Sequence, residues 1–349
     1  MPLDLAALGV DALVVSALPN VRYLTGFTGS NGVALVEPHR TTLFTDPRYT
    51  DQAAQEANCP AQTVKRGALI LAVRKVLDRA RVRRIGFERN RATFAEHAAL
   101  SEKLPRRSTL VALDFAVENL RMVKTPDEIA KIRASVEINS RAFERALGRF
   151  QPSMTELDLA AEIDYQMRLA GAEGPAFDTI VASGERSALP HAHPTRAKIG
   201  TNRLLLIDAG AMVEGYASDM TRTVAVGRIP EPLKRMYAAV REAQLAAIDA
   251  VRPGVSSRSV DRRARQTLKA YGMDREFVHS TGHGLGLEIH EPPRLGRGEN
   301  VKLVAGMAIT IEPGVYRREV GGVRIEDTVA VTASGCETLT PTTKDLLSI

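Results

Sequence analysis

Four acidic residues and one histidine interrupt apolar or glycine-flanked runs in the second half of the chain. They are Asp208, Asp219, His283, Glu312 and Glu326. Burying an unpaired carboxylate is costly, so acidic side chains rarely enter such runs unless a cation meets them. Four converging carboxylates would also repel one another unless bound metal neutralised them. The sequence therefore predicts a fold that gathers these five side chains around two divalent ions.

The first two carboxylates lie on a predicted β-hairpin. It turns at Glu214-Gly215, a dipeptide suited to a tight turn. Because strand side chains repeat every two residues, we expect Asp208 to lie roughly opposite Asp219 and Thr221, all on one face. This arrangement would place two carboxylates close together at the centre of a sheet.

A second predicted hairpin carries Glu312 and Glu326 and flanks the dipeptide Gly321-Gly322. Its longer connection leaves the strand register open. Each hairpin contains two acidic residues and is preceded by helical segments. This parallel indicates an internal pseudo-two-fold arrangement.

Helix-capping signals open this second region. In Thr125-Pro126-Asp127-Glu128, the threonine suits an N-cap, the proline suits the first helical position, and the glutamate can close a capping box. We predict a long amphipathic helix from there to about Arg149. Thr155 is predicted to cap a second helix that runs to about Ala170 and ends at Gly171. Two further helices are predicted, over residues 231–251 and 257–271.

Residues 1–120 alternate short apolar runs with helical patterns, which predicts a separate α/β domain with its own sheet. The predicted strands are DALVVS (11–16), GVALVE (32–37), TTLFT (41–45), RRIGFE (83–88) and STLVALD (108–114). The predicted helices are DQAAQEA (51–57), LILAVRKVLDRA (69–80) and TFAEHAALSEKL (93–104). Residues 121–349 are predicted to form the second domain.

Composition and charge favour a soluble protein without a polyanionic partner. Of 349 residues, 44% are hydrophobic and 25% are charged, which is ordinary for a globular protein. No apolar run approaches the ~18 residues of a membrane span, and the N-terminus lacks the basic region of a signal peptide. A cytoplasmic location and no membrane partner are therefore expected. Cys59 and Cys336 are too isolated to predict a disulfide or a metal site.

The formal net charge of +6 does not by itself indicate nucleic-acid binding. The 47 basic residues are scattered among 41 acidic ones, and the sequence contains no recognisable nucleic-acid module. A solvated basic surface explains the charge, so no nucleic-acid partner is predicted.

The predicted ligand set favours hard or borderline ions. Carboxylate-rich sites with one imidazole suit Mn²⁺, with Co²⁺ or Zn²⁺ as alternatives. Two such ions ~3.5–4 Å apart can lower the pKa of a shared water and polarise a carbonyl group. The sequence therefore predicts a hydrolase.

Further basic side chains lie close to the predicted ligands along the chain. His279 and His290 flank His283, and His191 lies in SALPHAHPT beside His193. Clustered beside a metal site, these histidines could stabilise a tetrahedral intermediate or deliver a proton to the leaving nitrogen. Arg324 shares its strand face with Glu326 and could orient a site carboxylate or meet a substrate carboxylate.

These residues, with the segments YLTGFTGSNG and TDPRY, resemble the pita-bread metallopeptidases over nearly the whole chain. The resemblance is to the proline-peptide branch, which contains prolidase and aminopeptidase P. It implies an α+β pita-bread catalytic domain with pseudo-two-fold symmetry over residues 121–349, preceded by a creatinase-like domain over residues 1–120. It makes the five residues of the opening pattern the ligands of two metals, with Asp219 and Glu326 bridging both ions.

The resemblance also implies residue roles and a substrate. It makes His191, His279 and His290 the substrate and transition-state histidines, Arg324 a supporting arginine, and Glu312 a proton shuttle as well as a ligand. The implied reaction is hydrolysis of the bond between an N-terminal residue and proline. Proline matters because its ring locks φ and removes the N–H that general peptidases use.

The compact N-terminal region favours an Xaa-Pro dipeptidase, with an Xaa-Pro aminopeptidase that acts on longer peptides as the alternative. Family analogy implies a homodimer in which Arg48 of TDPRY reaches the partner's site; an ordinary surface arginine is the other reading. Creatine amidinohydrolase would not need five metal ligands, and methionine aminopeptidase typically lacks a domain like residues 1–120. A non-enzymatic peptide-binding relative would show an eroded ligand set, and this sequence shows none.

Overall fold

The computed structural model describes residues 3–102 and 104–349. Met1 and Pro2, at the start of the predicted N-terminal domain, and Lys103, near the end of the predicted helix 93–104, lie outside the described residues. Within the described part, no helix is both long and apolar enough to cross a membrane.

The chain divides into two compact units, Met1–Arg121 and Met122–Ile349. The first contains a six-stranded sheet. Its strands are β1 (Ala12–Val15), β2 (Gly32–Glu37), β3 (Arg40–Thr45), β4 (Ala61–Thr63), β5 (Arg84–Glu88) and β6 (Thr109–Leu113). Its helices are α1 (Leu18–Thr25), α2 (Thr50–Glu56), α3 (Leu69–Ala80), α4 (Phe94–Ser101) and α5 (Glu118–Arg121).

The sheet of the first unit has the order β4-β3-β2-β1-β5-β6, and its central strands are buried on both faces. Side chains of β1 alternate between two apolar clusters, with Leu13 and Val15 in one and Ala12 and Val14 in the other. This alternation follows the two-residue period of a strand. The strands and helices predicted in this unit are confirmed, while α1, α5 and β4 were not predicted.

The second unit contains four long helices and thirteen short strands among its described residues. The helices are α6 (Pro126–Leu147), α7 (Glu156–Leu169), α8 (Glu231–Asp249) and α9 (Ser257–Ala270). The strands are β7 (Gly174–Pro175), β8 (Ile180–Ser183), β9 (Arg203–Ala209), β10 (Ala211–Val213), β11 (Tyr216–Ala217), β12 (Met220–Val226), β13 (Gly282–Gly284), β14 (Glu291–Leu295), β15 (Ala308–Ile311), β16 (Gly314–Arg317), β17 (Gly321–Arg324), β18 (Asp327–Val331) and β19 (Cys336–Thr338).

The predicted capping signals of the first two helices of this unit are confirmed. The Thr125 hydroxyl accepts a hydrogen bond from the Glu128 N–H, and the Glu128 carboxylate accepts one from the Thr125 N–H. Thr155 and Asp158 make the same reciprocal pair at the start of α7. Each pair satisfies amide donors that the first helical turn leaves open.

Strands β9 to β12 form the first ribbon (residues 203–226). Asp208 lies directly opposite Thr221 in the β9–β12 pairing. The chain turns at Glu214 and Gly215, which both have positive φ, 47° and 73°. That geometry is typical of a two-residue hairpin turn, and the predicted turn is confirmed.

Strands β15 to β18 form the second ribbon (residues 308–331), and here the predicted turn is wrong. Arg317 pairs with Gly321, so the turn occupies residues 318–320 and Gly322 lies within β17. Glu319 takes the positive φ, 61°. A Cβ atom on Gly322 would lie 2.2 Å from the Ser187 carbonyl oxygen. Gly322 is therefore required because another segment of the chain approaches it closely, and not because the chain turns there.

Each ribbon is covered by its own pair of helices. Residues of α6 and α7 pack with β8, β9 and β12 in one apolar cluster. Residues of α8 and α9 pack with β15, β17 and β18 in another. Both ribbons are interrupted between their outer and inner strand pairs, at residues 210 and 218–219 in the first and at 312–313 and 325–326 in the second. The acidic residues lie at or beside these interruptions, as the pseudo-two-fold prediction requires.

Candidate metal centre

The five predicted ligand side chains converge where the two ribbons meet β13. Ligand atoms of Asp219, His283 and Glu326 all lie within 4.8 Å of one another. The Nε2 atom of His283 is 3.5 Å from Asp219 Oδ2 and 3.5 Å from Glu312 Oε1. Asp208 is joined to this group through Arg324, whose Nη2 donates to Asp208 Oδ2 at 2.6 Å.

His283 presents a free nitrogen to the carboxylates because its other nitrogen is held by the backbone. Its Nδ1 lies 2.9 Å from the carbonyl oxygen of Gly284. A carbonyl can only accept, so this contact assigns the proton to Nδ1 and leaves the lone pair on Nε2. Burial, together with His290, lowers the pKa of His283 to about 4. The imidazole is therefore neutral at pH 7, as a metal ligand must be.

The glycines beside His283 serve strand packing. A Cβ atom on Gly282 would lie 1.9 Å from the Thr310 carbonyl oxygen, and one on Gly284 would lie 2.2 Å from the Pro292 carbonyl oxygen. The two glycines flank His283 in the sequence STGHGLG. Their physical reason in the structure is close approach of neighbouring backbone on both sides of β13.

Two buried carboxylate oxygens of this cluster lack a hydrogen-bond partner among the described residues: Oδ1 of Asp208 and Oε1 of Glu326. The second oxygen of Glu326 accepts from the Thr221 hydroxyl at 2.7 Å. Buried polar atoms are nearly always paired. Lone pairs left open beside an imidazole nitrogen are the donor set that a divalent cation requires.

Three of the carboxylates, those of Asp219, Glu312 and Glu326, have raised pKa values. Burial raises the pKa of Asp219 well above its usual range, and Glu326, Asp208 and Glu312 raise it further. Burial and the neighbouring carboxylates likewise raise the pKa of Glu326. Burial raises the pKa of Glu312 to about 7 against the opposing effect of Arg324. Four carboxylates share one guanidinium, so the residues present fit a pair of divalent ions.

Arg324 links this cluster to a chain of hydrogen bonds that ends at His279. Its Nη1 donates to the Tyr316 hydroxyl at 2.8 Å, and that oxygen lies 2.8 Å from His279 Nε2. His279 Nδ1 lies 2.8 Å from the Ser280 carbonyl oxygen, which assigns its proton to Nδ1 and makes Tyr316 the donor to Nε2. Burial lowers the pKa of His279 to about 3, so this ring is neutral.

Tyr316 is a site residue that sequence reasoning missed. Burial raises the pKa of its hydroxyl to about 12, so it remains a donor at neutral pH. The residue lies four positions after Glu312 in AITIEPGVY. Its aromatic side chain at a strand end was the available signal.

His290 and His191 lie on the open side of the site. The His290 ring centroid is 4.4 Å from that of His283 in an edge-on arrangement. Both residues are exposed, yet shielding of the His290 ring lowers its pKa, and His191 lowers it further. The two histidines therefore lie close enough to interact electrostatically.

Arg294 is a second site residue that sequence reasoning missed. Its charge lowers the pKa of His283 and of His290 after the larger effect of burial. The side chain is exposed at the end of the sequence HEPPR. A cation on the histidine side of the cluster is suited to an anionic group of a substrate.

Arg48 lies in the first unit, whereas all the other predicted site residues lie in the second. Its side chain is 71% exposed, and its guanidinium pairs with Asp46 at 2.8 Å. The interaction, with Asn31 as the next cause, lowers the pKa of Asp46 below its usual range. The predicted contact of Arg48 with a partner subunit stays a prediction.

Comparison with known proteins gives matches over both units. Residues 130–333 match the model of metallopeptidase family M24, and residues 4–123 match that of the Creatinase/Prolidase N-terminal domain. An Xaa-Pro dipeptidase of Pyrococcus furiosus is 36% identical over 346 residues, covering 97% of this chain and 95% of that protein.

Solved structures of two kinds of enzyme resemble the chain closely. An Xaa-Pro dipeptidase from Bacillus anthracis gives a TM-score of 0.95 at 37% identity, covering 99% of this chain and 96% of that one. An X-Pro aminopeptidase from Thermotoga maritima gives a TM-score of 0.91 at 36% identity, covering 98% of each chain.

Proposed function

Because the chain belongs to metallopeptidase family M24, we propose that it is a dinuclear-metal Xaa-Pro dipeptidase, which hydrolyses the bond between an N-terminal residue and proline. The predicted resemblance to the pita-bread proline-peptide branch is confirmed by the family matches and by the dipeptidase relatives. The observation that carries the proposal is the buried cluster of four carboxylates around one neutral imidazole.

The cluster would hold two divalent ions through five side chains. These are Asp208, Asp219, His283, Glu312 and Glu326. Asp219 and Glu326 would bridge both ions, which the spacing of their ligand atoms from each other and from His283 supports. Four carboxylates and one guanidinium leave three negative charges, which two divalent ions would offset and one would not. The oxygen-rich donor set favours Mn²⁺, with Co²⁺ or Zn²⁺ as alternatives.

Bound ions in such a site supply hydroxide at neutral pH and polarise the scissile carbonyl group. The side chains of the chain supply the proton transfers and the orientation. Asp219 and Glu312 are the two carboxylates beside His283. Glu312 is better suited to move a proton, because its side chain is 16% exposed and that of Asp219 is 7% exposed. His290 and His191 are suited to donate hydrogen bonds to the developing oxyanion or the leaving nitrogen, because they lie on the open side of the cluster.

His279 has a different setting from the other two histidines. Both of its ring nitrogens are engaged within the protein. Its direct contact with substrate, which the resemblance implies, stays a prediction. The geometry supports a role in holding Tyr316 and, through it, Arg324. Arg324 in turn fixes the carboxylate of Asp208.

The preference for dipeptides rests on the cation at the open side of the site. A dipeptidase must recognise the proline carboxylate, which immediately follows the scissile bond. Arg294 is exposed and lies near His290, so it can meet that carboxylate. The similarity to the T. maritima X-Pro aminopeptidase makes cleavage of longer peptides the second candidate function.

The two-domain division is part of this proposal, with a creatinase-like domain over residues 1–120 and the catalytic domain over residues 121–349. The two compact units and the two matched families support it. We also propose a homodimer in which the exposed Arg48 approaches the partner's substrate. Loss of substrate affinity in Arg48→Ala, at unchanged kcat, would test that contact.

Cleavage of an Xaa-Pro dipeptide and an Xaa-Pro-Xaa tripeptide by the Mn²⁺-loaded enzyme tests the proposed function. We expect Mn²⁺-dependent cleavage of the dipeptide and little cleavage of the tripeptide. Efficient tripeptide cleavage would replace the dipeptidase proposal with the aminopeptidase. Cleavage of neither peptide, by protein shown to contain two Mn²⁺ ions, would refute both. An Xaa-Ala dipeptide serves as the control for proline specificity.

A further inference from the structure

A buried arginine that the proposed chemistry does not use lies directly behind the metal cluster. Arg222 is on β12, next to Thr221, and is 1% exposed. Adjacent strand residues face opposite sides of a sheet. The Thr221 hydroxyl donates a hydrogen bond to Glu326 on the face of the sheet that carries the metal cluster. Arg222 extends from the opposite face.

All five N–H groups of the Arg222 guanidinium are used. Nη1 donates to the carbonyl oxygens of Thr221 and Glu326. Nη2 donates to Asp327 Oδ1 at 2.8 Å and to the Thr342 carbonyl oxygen at 2.6 Å. Nε donates to the Thr343 carbonyl oxygen at 2.8 Å. One side chain therefore joins the first ribbon, the second ribbon and the segment 342–344.

The acidic partner of Arg222 is equally enclosed. Asp327 immediately follows Glu326 and is fully buried. Its second oxygen accepts from Gln244 of α8 at 2.9 Å and from Lys344. Arg222, Gln244 and Lys344 thus hold Asp327 from three directions. Asp327 is the residue next to Glu326, a predicted bridging ligand.

Stability alone does not account for this arrangement. A buried ion pair gains little net free energy, because the desolvation cost offsets the attraction, and packed apolar side chains can replace it. An apolar side chain cannot satisfy carbonyl oxygens on three segments at once. The two carbonyls that Nη1 binds belong to the residues where the ribbons cross, since the Glu326 N–H also donates to the Thr221 carbonyl at 3.0 Å.

We propose that Arg222 is a positioning residue for the metal centre. Its guanidinium holds the Glu326 backbone against that of Thr221 and so sets the spacing between the carboxylates of the two ribbons. The segment 342–344 and Asp327 hold the guanidinium in place. This inference rests on the proposed dinuclear site and extends it to a group that touches neither the ions nor the substrate.

The test compares Mn²⁺ binding by wild type and by Arg222→Lys, using calorimetry on the full chain. Lysine keeps the charge but has three donors on a point charge in place of a planar fork. We expect two Mn²⁺ ions in wild type and a dissociation constant about 10–100-fold higher for at least one ion in the variant. The visible absorption spectrum of the Co²⁺-loaded protein should change as well, because ligand geometry changes.

Arg241→Lys is the matched control. Arg241 joins α8 to Asp345, the residue after the segment 342–344, at 2.7 Å, but its side chain is 45% exposed and contacts no residue of the second ribbon in the described contacts. It should leave the Mn²⁺ affinity and the Co²⁺ spectrum unchanged.

Each result decides the inference. If Arg222→Lys lowers the melting temperature but binds Mn²⁺ as wild type does and keeps the Co²⁺ spectrum, Arg222 is structural only and the inference is overturned. If wild type itself binds no Mn²⁺, both the metal centre and the inference fall. If Arg222→Lys does not fold, Asp327→Asn is measured in the same way, because it keeps the shape of the side chain and removes the negative charge that pairs with Arg222. Unchanged binding in that variant overturns the inference.

Discussion

Replacing Glu312 by glutamine should stabilise the metal-free protein while weakening metal binding. The Glu312 carboxyl has a pKa of about 7 in the folded state against an ordinary value of 4.5, mainly because it is buried. A folded-state pKa above the ordinary value means that the folded state binds the proton more tightly. The contribution of this carboxyl to metal-free stability is therefore fully present below pH 4.5 and is lost as the pH rises from 4.5 through about 7.

The size of the effect follows from the pKa difference. Each pKa unit corresponds to 1.36 kcal/mol, so the ionised carboxylate costs up to about 3 kcal/mol at pH 8. Glutamine has nearly the same shape and no charge, so Glu312→Gln removes that cost. With roughly 2–4 °C per kcal/mol for a unit of this size, the variant should melt about 6–12 °C higher than wild type at pH 8. At pH 4.5 the two should melt together.

Thermal unfolding of the chelated protein, with and without added Mn²⁺, measures this difference in melting temperature. Added Mn²⁺ should reverse the order at pH 8, because wild type gains more from ligand binding. Glu319→Gln, at an exposed turn position of the same ribbon, should leave the melting temperature unchanged both without and with Mn²⁺. A metal-free Glu312→Gln protein that melts below wild type at pH 8, or a difference independent of pH, would refute the electrostatic argument.

Three further substitutions test two residues of the site and one buried ion pair elsewhere in the second unit. Asp219→Ala should abolish metal-dependent cleavage of an Xaa-Pro dipeptide and leave the far-UV circular dichroism spectrum intact; retained turnover would contradict the bridging role. His290→Ala should lower kcat by about 10²–10⁴-fold with a smaller change in KM, and a near-wild-type kcat would remove its catalytic role. Lys124→Met leaves the Glu291 carboxylate without its lysine partner, in a pair whose side chains are 1% and 2% exposed. This should cost about 3–5 kcal/mol in denaturant-induced unfolding, and a loss below 1 kcal/mol would show that the pair is dispensable.

Local sequence signals were sufficient where neighbouring residues determine the structure. The Thr125 and Thr155 caps depend on partners three residues away, and the first ribbon turns where Glu214 and Gly215 permit positive φ. The pairing of Asp208 with Thr221 then follows from the turn and the strand period.

The rest depended on contacts between distant segments. The sequence predicts Gly322 to be a turn residue. In the structure, glycine is required there because the backbone of Ser187, far away along the chain, leaves no room for a Cβ atom. The sequence does not single out Arg222, because the oxygen atoms that satisfy its guanidinium belong to segments more than 100 residues away as well as to its own strand. Tyr316 becomes a site residue only when β13 brings His279 beside it.

The ligands of the candidate centre come from both ribbons and from β13, stretches that lie well apart along the chain. Ions held among them would therefore act as a non-covalent cross-link between parts that otherwise repel one another. Proteases attack molecules in proportion to their open population. The supply of divalent metal would then determine how long each copy resists proteolysis, in addition to how fast it turns over substrate.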